Sequence, residues 1–318
     1  MGRACRQWRL PPLGGVAVRV RILLLGSGGQ LGMELARQLP VVGDVVAYSR
    51  SELDICDHGA VRAVVDSVQP LVIVNAAAYT AVDRAEEDEA GAYAANAVAV
   101  ENLARLADTR DAWLIHYSTD YVFDGTKGGY YLEGDVTNPL NVYGASKLEG
   151  ERAIARSGCK NLVFRTSWVI GKDGHNFAKT ILRLASGRDN LQVVADQLGV
   201  PTSPLLIGKV TADAISAIGA NSPWDCGIYH LAPHGETTWH EIAQALVQIA
   251  GQAGVELSLG PDDISPVPTS GYPTPAVRPL NSRLDTAKLS RVLPFELPAW
   301  EDDFSQVVGG IIMDGGIK

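Results

Sequence analysis

The sequence contains few cysteines, and they lie far apart. Only four occur among 318 residues: Cys5, Cys56, Cys159 and Cys226. No Cys-x-x-Cys pair and no histidine at metal-ligand spacing accompanies them, which argues against both a disulfide framework and a zinc site. We therefore expect four unpaired thiols, as is usual for a protein of the cytoplasm.

Long apolar runs and an excess of positive charge are also missing. No run approaches the ~18–20 apolar residues of a membrane span. The chain has 27 Lys and Arg against 36 Asp and Glu, a formal charge of −9, which repels nucleic-acid phosphates and anionic membranes. We therefore expect a cytoplasmic protein that binds neither nucleic acid nor membrane.

The N-terminal stretch lacks the apolar segment of a signal peptide, although it contains Arg3, Arg6 and Arg9. We expect residues 1–18 to be a disordered N-terminal extension that results from an upstream start. A native protein that begins near Val18 or Val20 in a mass spectrum supports this expectation, and one that begins at Met1 contradicts it.

Beyond this stretch, short apolar runs alternate with segments of helical spacing. The pattern predicts strands at 19–25, 45–48, 71–74, 113–117 and 162–165, and helices at 31–39, 60–68, 89–107 and from about 142. Such alternation is typical of βαβ units in a doubly wound parallel sheet, an α/β fold of Rossmann type. After Gly171 the alternation of strand and helix patterns becomes irregular. Thr238-x-x-Glu241 predicts a capping box that opens a helix to about Ala250, and the proline-rich stretch 265–279 is expected to form a rigid loop without regular structure.

A glycine-rich turn, Gly26-Ser-Gly-Gly-Gln-Leu-Gly32, follows the first predicted strand and opens the first helix. Glycines such as Gly26, Gly29 and Gly32 let the turn bend tightly and let the backbone approach a pyrophosphate, while the helix N-terminus attracts its charge. An ordinary tight turn is the alternative. The position at the first βα junction favours a dinucleotide site.

The residues that follow the next two strands indicate which nicotinamide cofactor binds and where it lies. An NAD-selective site usually has an acid after the second strand, whereas Arg suits a 2′-phosphate. The chain has Ser49-Arg50 there, which favours NADPH over NADH, with a solvated loop charge as the alternative for Arg50. Asp54 and Ile55 follow in the place of an adenine contact, unless Asp54 is a cap or turn residue. After the third strand, the alanines of residues 76–78 leave space for a cofactor, although tight helix–sheet packing explains them as well.

The strongest signal is Tyr143-Gly-Ala-Ser-Lys147, whose i,i+4 spacing places both side chains on one helical face. A free phenol has a pKa of about 10. An ammonium beside it, together with an oxidised nicotinamide, favours the phenolate and brings its proton within reach at neutral pH. Thr119, just before Asp120 at the end of the fourth strand, adds a hydroxyl that can hold a carbonyl or tune the tyrosine. A surface tyrosine beside a solvated lysine is the alternative.

With these motifs in this order, the chain resembles the extended short-chain dehydrogenase/reductases, and within them the reductases of nucleotide-linked 4-keto-6-deoxysugars. The resemblance runs from Val20 to about Trp300. The narrower match rests on GQLG (29–32), VNAAAYTAVD (74–83), HYSTDYVF (116–123), PLNVY (139–143), FRTSWV (164–169), NFAKT (176–180), DQLGVPT (196–202) and RPLNSRL (278–284). It implies hydride transfer from NADPH or NADH to a sugar ketone. It also implies a Rossmann-type domain at 19–170, with a return segment at about 205–232, and a smaller α+β sugar-nucleotide domain at 171–204 and 233–318.

The resemblance implies roles for individual residues. Tyr143 is the expected proton donor, Lys147 its partner and a ligand of the nicotinamide ribose, and Thr119 the third catalytic hydroxyl. The expected cofactor contacts are Gly26, Gly29, Gln30, Leu31, Gly32, Ser49, Arg50, Asp54, Ile55, Ala76, Ala77, Ala78 and Tyr79, with Tyr143 and Lys147. The expected sugar-nucleotide contacts are Thr119, Asp120, Trp168 and Asn176, with Lys179 and Arg283 as candidates for the diphosphate. The structural alternatives are a core aromatic for Trp168 and a helix cap for Asn176.

Other functions stay open at this point. Similar proteins serve as nucleotide-binding regulatory subunits of methionine adenosyltransferase, but the presence of Thr119, Tyr143 and Lys147 disfavours a non-catalytic role. Sugar dehydratases of this type place an acidic pair after the Ser/Thr, whereas here only Asp120 stands there. A reductase of another nucleotide 4-keto-deoxysugar is a further alternative. Some relatives form a metal-assisted dimer through a carboxylate after a Pro-Thr element. Residues 201–206 contain none, although Glu34 is present, so we expect no magnesium, and a homodimer is left open.

Overall fold

The structure, a computed structural model, describes residues 19–218 and 224–315, so the predicted N-terminal extension lies outside the described residues. The strands are β1 (Val20–Leu25), β2 (Gly43–Tyr48), β3 (Val72–Asn75), β4 (Trp113–Thr119), β5 (Lys160–Thr166), β6 (Leu191–Val194), β7 (Leu198–Gly199), β8 (Gly227–His230), β9 (Thr237–Thr238) and β10 (Ile264–Val267). The helices are α1 (Gln30–Gln38), α2 (His58–Val68), α3 (Val82–Ala85), α4 (Glu89–Tyr93), α5 (Ala99–Thr109), α6 (Val142–Ser157), α7 (Phe177–Ala185), α8 (Pro204–Ala217), α9 (Trp239–Gln252), α10 (Ala287–Ser290) and α11 (Trp300–Met313).

A six-stranded parallel sheet forms the centre of the molecule, in the order β2-β1-β3-β4-β5-β8. The chain leaves β1 toward β2 on one side, and β3 then pairs with β1 on the other. This reversal of strand order opens a crevice at the carboxyl ends of β1 and β3, where doubly wound sheets bind their ligands. The prediction of a Rossmann-type α/β fold is confirmed.

Both faces of this sheet are covered, because successive side chains of a strand point in opposite directions. Ile22 and Leu24 of β1 belong to a core shared with α1 and α8, whereas Leu23 and Leu25 belong to a core shared with α2 and α5. A separate apolar core is formed by α7, α9 and α11. The domain boundaries given above stay predictions.

Three expectations need correction. The helix predicted at 89–107 is interrupted by a π-helical stretch at Ala94–Val98, which the apolar spacing of an alanine-rich segment does not reveal. The stretch predicted as an irregular loop begins inside β10, where Pro266 pairs with Val193. Proline is tolerated there because β10 belongs to a two-stranded sheet and has a free edge. Among the cysteines, Cys56 and Cys159 are free thiols, but Cys226 is disulfide-bonded.

None of the helices in the described ranges combines the length and the apolar character that a membrane span requires.

Candidate active site

The glycine-rich turn between β1 and α1 has no room for a side chain at Gly26 or at Gly32. Gly26 has a φ of +84°, and a Cβ added to it would lie 2.5 Å from the backbone nitrogen of Ala77. A Cβ on Gly32 would lie 2.0 Å from the carbonyl oxygen of Gly26. The residue before α1 is Gly29, which has no side chain to cap the helix. The turn therefore presents the N–H groups of a helix N-terminus beside β3, as a phosphate-binding turn requires.

The tip of β2 carries an acid that the sequence analysis missed. The Ser49 backbone N–H and hydroxyl donate to the Glu52 carboxylate at 2.8 and 2.7 Å, and these bonds lower the pKa of Glu52. The Cβ position of Gly28 lies 3.5 Å from the Ser49 Cβ, so this acid is next to the glycine turn. Arg50 is 88% exposed and pairs with Asp54 at 3.8 Å. An acid four residues beyond the strand end is thus brought back to its tip by a turn.

The chain after β3 is held by Asn96 of the π-helical stretch. Its Oδ1 accepts the Tyr79 N–H at 2.8 Å, and its Nδ2 donates to the Tyr79 carbonyl at 3.0 Å. Asn96 also donates to the Ser146 hydroxyl on α6 at 3.0 Å. This residue fixes the predicted cofactor segment at 76–79 against the helix that carries Tyr143 and Lys147. Asn96 is fully buried, and its only signal in the sequence is a polar residue within an alanine-rich helical segment.

The first turn of α6 brings Tyr143 to the end of β4. Asn141 caps the helix by accepting the Gly144 N–H at 2.8 Å. A Cβ on Gly144 would lie 2.2 Å from the Tyr121 carbonyl oxygen, so only glycine allows the helix to begin this close to the segment after β4. As a result, the Tyr143 hydroxyl lies close enough to Thr119 for that side chain to lower its pKa. The predicted pair of Thr119 and Tyr143 is therefore adjacent in the structure.

Tyr143 holds its proton more firmly than the sequence analysis expected. Burial raises its pKa to about 12, the nearby charge of Asp120 raises it as well, and the Thr119 side chain only partly opposes them. The ammonium of Lys147 was expected to favour the phenolate. Its Nζ instead donates to the Tyr117 carbonyl at 2.6 Å and contacts His116 Nε2 at 3.1 Å. Tyr143 is thus a neutral phenol at neutral pH, the form required of a proton donor.

Lys147 and Asp120 are both buried, and burial shifts each toward its neutral form. The pKa of Lys147 falls to about 8, with Glu151 opposing the shift. The pKa of Asp120 rises to about 6, although the hydroxyls of Ser282 and Thr119 oppose it. Within the described residues, the second oxygen of the Asp120 carboxyl group, Oδ2, has no hydrogen-bond partner. A buried, unsatisfied carboxyl oxygen next to Thr119 suits a residue that receives a hydroxyl of a ligand.

Trp168 follows β5 and adopts a left-handed φ of +43°. Its ring stacks on Trp239 with 4.1 Å between centroids, and a Cβ on Gly199 would lie 2.6 Å from it. Strained backbone of this kind clusters at functional sites. Trp168 is half-buried, which is compatible with both the predicted sugar contact and the aromatic-core alternative.

Asn176 is the N-cap of α7. Its Oδ1 accepts the Lys179 N–H at 3.1 Å, and its Nδ2 donates to the Gly171 carbonyl at 2.6 Å and to Gln30 Oε1 at 2.9 Å. The helix-cap alternative thus describes its contacts, and its predicted role in substrate binding stays a prediction. The bond to Gln30 links a residue predicted to contact the cofactor with one predicted to contact the substrate.

Arg283, a candidate for the diphosphate, is already engaged. Its guanidinium donates to Glu236 at 2.7 Å and to Asn281 at 2.8 Å. Leu31 packs against the core beneath α1, and Ile55 is buried in the core on the opposite face of the sheet. The predicted cofactor contacts of Leu31 and Ile55 therefore stay predictions.

Comparison with known proteins identifies the family in which this arrangement occurs. A family model described as the RmlD substrate binding domain matches residues 20–311. The dTDP-4-dehydrorhamnose reductase of Salmonella typhimurium is 47% identical over 286 residues, which cover 89% of this chain and 95% of that protein. The chain belongs to the dTDP-4-dehydrorhamnose reductase family. The reductase of Shigella flexneri is 46% identical with the same coverage.

A solved structure agrees with this membership. The dTDP-4-dehydrorhamnose reductase of Bacillus anthracis, crystallised in complex with NADP, has a TM-score of 0.83 and 33% identity, and the match covers 91% of this chain and 98% of that one. The family's reductase fold therefore extends over nearly the whole chain. Across 19–218 and 224–315, no group of three or more His, Cys, Asp or Glu side chains is arranged to hold a metal ion.

Proposed function

We propose that this chain reduces the C4 keto group of dTDP-4-dehydro-L-rhamnose to give dTDP-L-rhamnose, with NADPH or NADH as the hydride donor. The proposal is carried by one observation: a protonated, half-buried Tyr143 lies beside Thr119 at the ligand-binding edge of the sheet, in a chain of this reductase family. The sugar nucleotide is the substrate partner, and the nicotinamide cofactor is the only cofactor required.

The residues present fit a dinucleotide. Gly26 and Gly32 let the turn pack closely against β3 and α1, and Gly29 leaves the start of α1 without a side chain, so the helix N-terminus can face the pyrophosphate position. Ser49 and Arg50 receive the adenosine end, and the alanines of residues 76–78 with Tyr79 follow the last residue of β3. When bound, the nicotinamide supplies a hydride to the sugar carbonyl carbon.

The protein supplies the proton and the orientation. Thr119 and Tyr143 hold the carbonyl oxygen, and Tyr143 gives its proton to that oxygen as negative charge develops on it. Burial, which raises the pKa of the free phenol to about 12, keeps the proton in place until the alkoxide, a stronger base, forms. Lys147 binds the nicotinamide ribose and acts as the partner of Tyr143. Asp120 and Trp168 bind the sugar.

The test follows the loss of reduced-nicotinamide absorbance with dTDP-4-dehydro-L-rhamnose generated in situ, with NADPH and NADH in parallel. The Tyr143→Phe variant removes the proton donor and keeps the ring, so we expect kcat to fall about 10²–10⁴-fold while NADPH still binds. Chromatography of the product identifies the sugar nucleotide.

Tight cofactor binding without turnover in the wild-type chain would contradict the proposal and favour a non-catalytic subunit. Turnover only with another nucleotide 4-keto-deoxysugar would keep the reductase and change its substrate. Elimination is disfavoured because the residue after Asp120 is Tyr121, so no acidic pair follows Thr119.

A further inference from the structure

Lys147 contacts His116 of β4, a residue to which the proposed reaction assigns no role. Lys147 is 1% exposed and His116 is fully buried. Lys147 Nζ lies 2.6 Å from the Tyr117 carbonyl oxygen and 3.1 Å from His116 Nε2. The carbonyl accepts a hydrogen bond from a charged or a neutral amine alike. The histidine distinguishes between them, because a neutral imidazole has one donor and one acceptor nitrogen.

Asn75 determines which ring nitrogen of His116 carries the hydrogen. Asn75 Oδ1 accepts the Ala77 N–H at 3.2 Å, which leaves the amide NH₂ facing His116 Nδ1 at 3.1 Å. An NH₂ group can only donate, so Nδ1 accepts and Nε2 carries the hydrogen. The ring stays neutral, because burial and the charge of Lys147 hold the pKa of His116 well below its usual value.

The His116 Nε2–H group therefore faces Lys147 Nζ. A neutral amine has a lone pair that accepts this hydrogen bond, whereas an ammonium has only donors. The pair of Asn75 and His116 thus favours the neutral form of Lys147. The contact supplies a specific partner for the amine, in addition to the general effect of burial.

Other charged groups act on Lys147 from the same helix and from β5. Glu151, one turn further along α6, favours the ammonium. Its carboxylate is already paired with Arg165 at 2.9 and 2.6 Å and accepts the Ser118 hydroxyl at 2.5 Å, which weakens its pull. Tyr143, on the other side along α6, is neutral at the working pH. Lys147 consequently lies between two opposing partners, Glu151 and His116.

We propose that His116, oriented by Asn75, is a positioning residue that eases release of the proton held by Lys147. This inference rests on the proposed function. After the Tyr143 hydroxyl has given its proton to the sugar alkoxide, the Lys147 ammonium returns a proton to the Tyr143 phenolate through an intervening water, because its own hydrogen bonds go to Tyr117 and His116. The resulting amine accepts the His116 Nε2–H, and water restores the ammonium. One proton moves at each step and no electrons are transferred.

The kinetic test uses two variants in which residue 116 favours the ammonium form of Lys147 instead of the neutral amine. In His116→Gln, the side-chain carbonyl can accept a hydrogen bond from the ammonium. In Asn75→Asp, the carboxylate accepts Nδ1–H, so Nε2 becomes the acceptor. Because turnover needs the ammonium, we expect the basic limb of the kcat–pH profile to move upward by about one pH unit in both variants. His58→Gln, at the start of α2, is the matched control and leaves the midpoint unchanged.

A second readout does not depend on activity. The ¹⁵Nζ resonance of Lys147, in chain labelled with [¹⁵N]lysine and assigned with Lys147→Arg, reports the protonation of the amine directly. We expect its titration midpoint to rise in both variants. Unmoved midpoints in folded variants that have lost activity overturn the inference and leave His116 a packing residue. If wild-type chain shows no turnover while the resonance shifts as expected, the proposed function fails and the role of His116 stands.

Discussion

Among individual residues, Glu52 bears most directly on the choice between the two nicotinamide cofactors. Its carboxylate accepts both donors of Ser49 at the tip of β2, where a 2′-phosphate would otherwise be received. We expect Glu52→Gln to raise the ratio of kcat/KM for NADPH to that for NADH about three- to tenfold, because an exposed charge acts on the phosphate through screening solvent. Paired assays with the two cofactors measure the ratio.

The matched control for this charge change is Glu101→Gln, an exposed residue on α5 for which the ratio should stay constant. An unchanged ratio in Glu52→Gln as well would mean that the phosphate does not approach Ser49.

The buried carboxyl group of Asp120 should make the stability of the protein depend on pH. Its folded pKa is about 6 against an ordinary value of 3.8, so the folded state binds the proton more tightly than the unfolded state. The resulting stability is fully present below about pH 4 and is lost as the pH rises through 6, an effect of up to ~3 kcal/mol. Asp120→Asn removes it. We therefore expect the free energy of unfolding of the variant, relative to wild type, to improve between pH 4 and pH 7.5 in urea titrations. A difference that is independent of pH would show that Asp120 titrates normally.

Residues such as Tyr143, Lys147 and Thr119 were predictable because their spacing and order along the chain already imply a shared site. His116 and Glu52 were not. The first is a polar residue inside an apolar strand, where sequence alone does not tell a satisfied core histidine from a working one. The second reaches its position through a turn in which Glu52 N–H donates to the Ser49 carbonyl at 3.1 Å, and such a turn leaves no periodic signal.

Among the elements, the junction of β1 and α1 is the most sensitive to added volume. A Cβ on Gly32 would lie 2.0 Å from the Gly26 carbonyl oxygen, so Gly32→Ala must move α1 away from β1. We expect a loss of ~1–3 kcal/mol in the free energy of unfolding and a large fall in cofactor affinity, measured by urea titration and by fluorescence of bound NADPH.

Gly28→Ala tests the same turn without the clash. The nearest atom to its added Cβ is 3.5 Å away, an ordinary contact, so its stability should match wild type within error. Equal losses in both variants would place the effect in glycine flexibility rather than in the close approach.

The strands and helices of the first 170 residues were predicted from periodicity, because buried parallel strands and amphipathic helices each leave a regular pattern. The elements of the second core were mostly missed. β7 and β9 have two residues each, too few for any period. α9 was found because Thr238 and Glu241 form the predicted capping box, a local signal that needs no tertiary contact.

For the whole molecule, Asp303 connects the two principal cores. It lies on α11, is buried, and accepts both the Ser203 N–H at 2.9 Å and the Ser203 hydroxyl at 2.5 Å. Ser203 caps α8, which packs in the core of the central sheet. We expect Asp303→Ala to lower the free energy of unfolding by ~1–3 kcal/mol, since a buried N–H is left unpaired. Asp302→Ala, its exposed neighbour, should change it little.

Calorimetry separates two outcomes of this substitution. Loss of the connection should broaden or split the thermal transition as the two cores unfold less cooperatively. A sharp transition at an unchanged temperature would contradict the role of Asp303. No sequence pattern pairs Ser203 with a residue a hundred positions away, so contacts of this range lie beyond sequence reasoning.

The single side-chain oxygen of Gln30 has a wider consequence. It accepts the Gly171 N–H at 3.2 Å and the Asn176 amide at 2.9 Å, and so joins the first residue of α1 to the cap of α7. Coupling through such a link is reciprocal: if bound cofactor tightens the hold on the sugar nucleotide, bound sugar nucleotide tightens the hold on the cofactor by the same factor. The Kd of each ligand then depends on the concentration of the other. A titration with one ligand alone therefore gives the Kd of that ligand but not the coupling between the two.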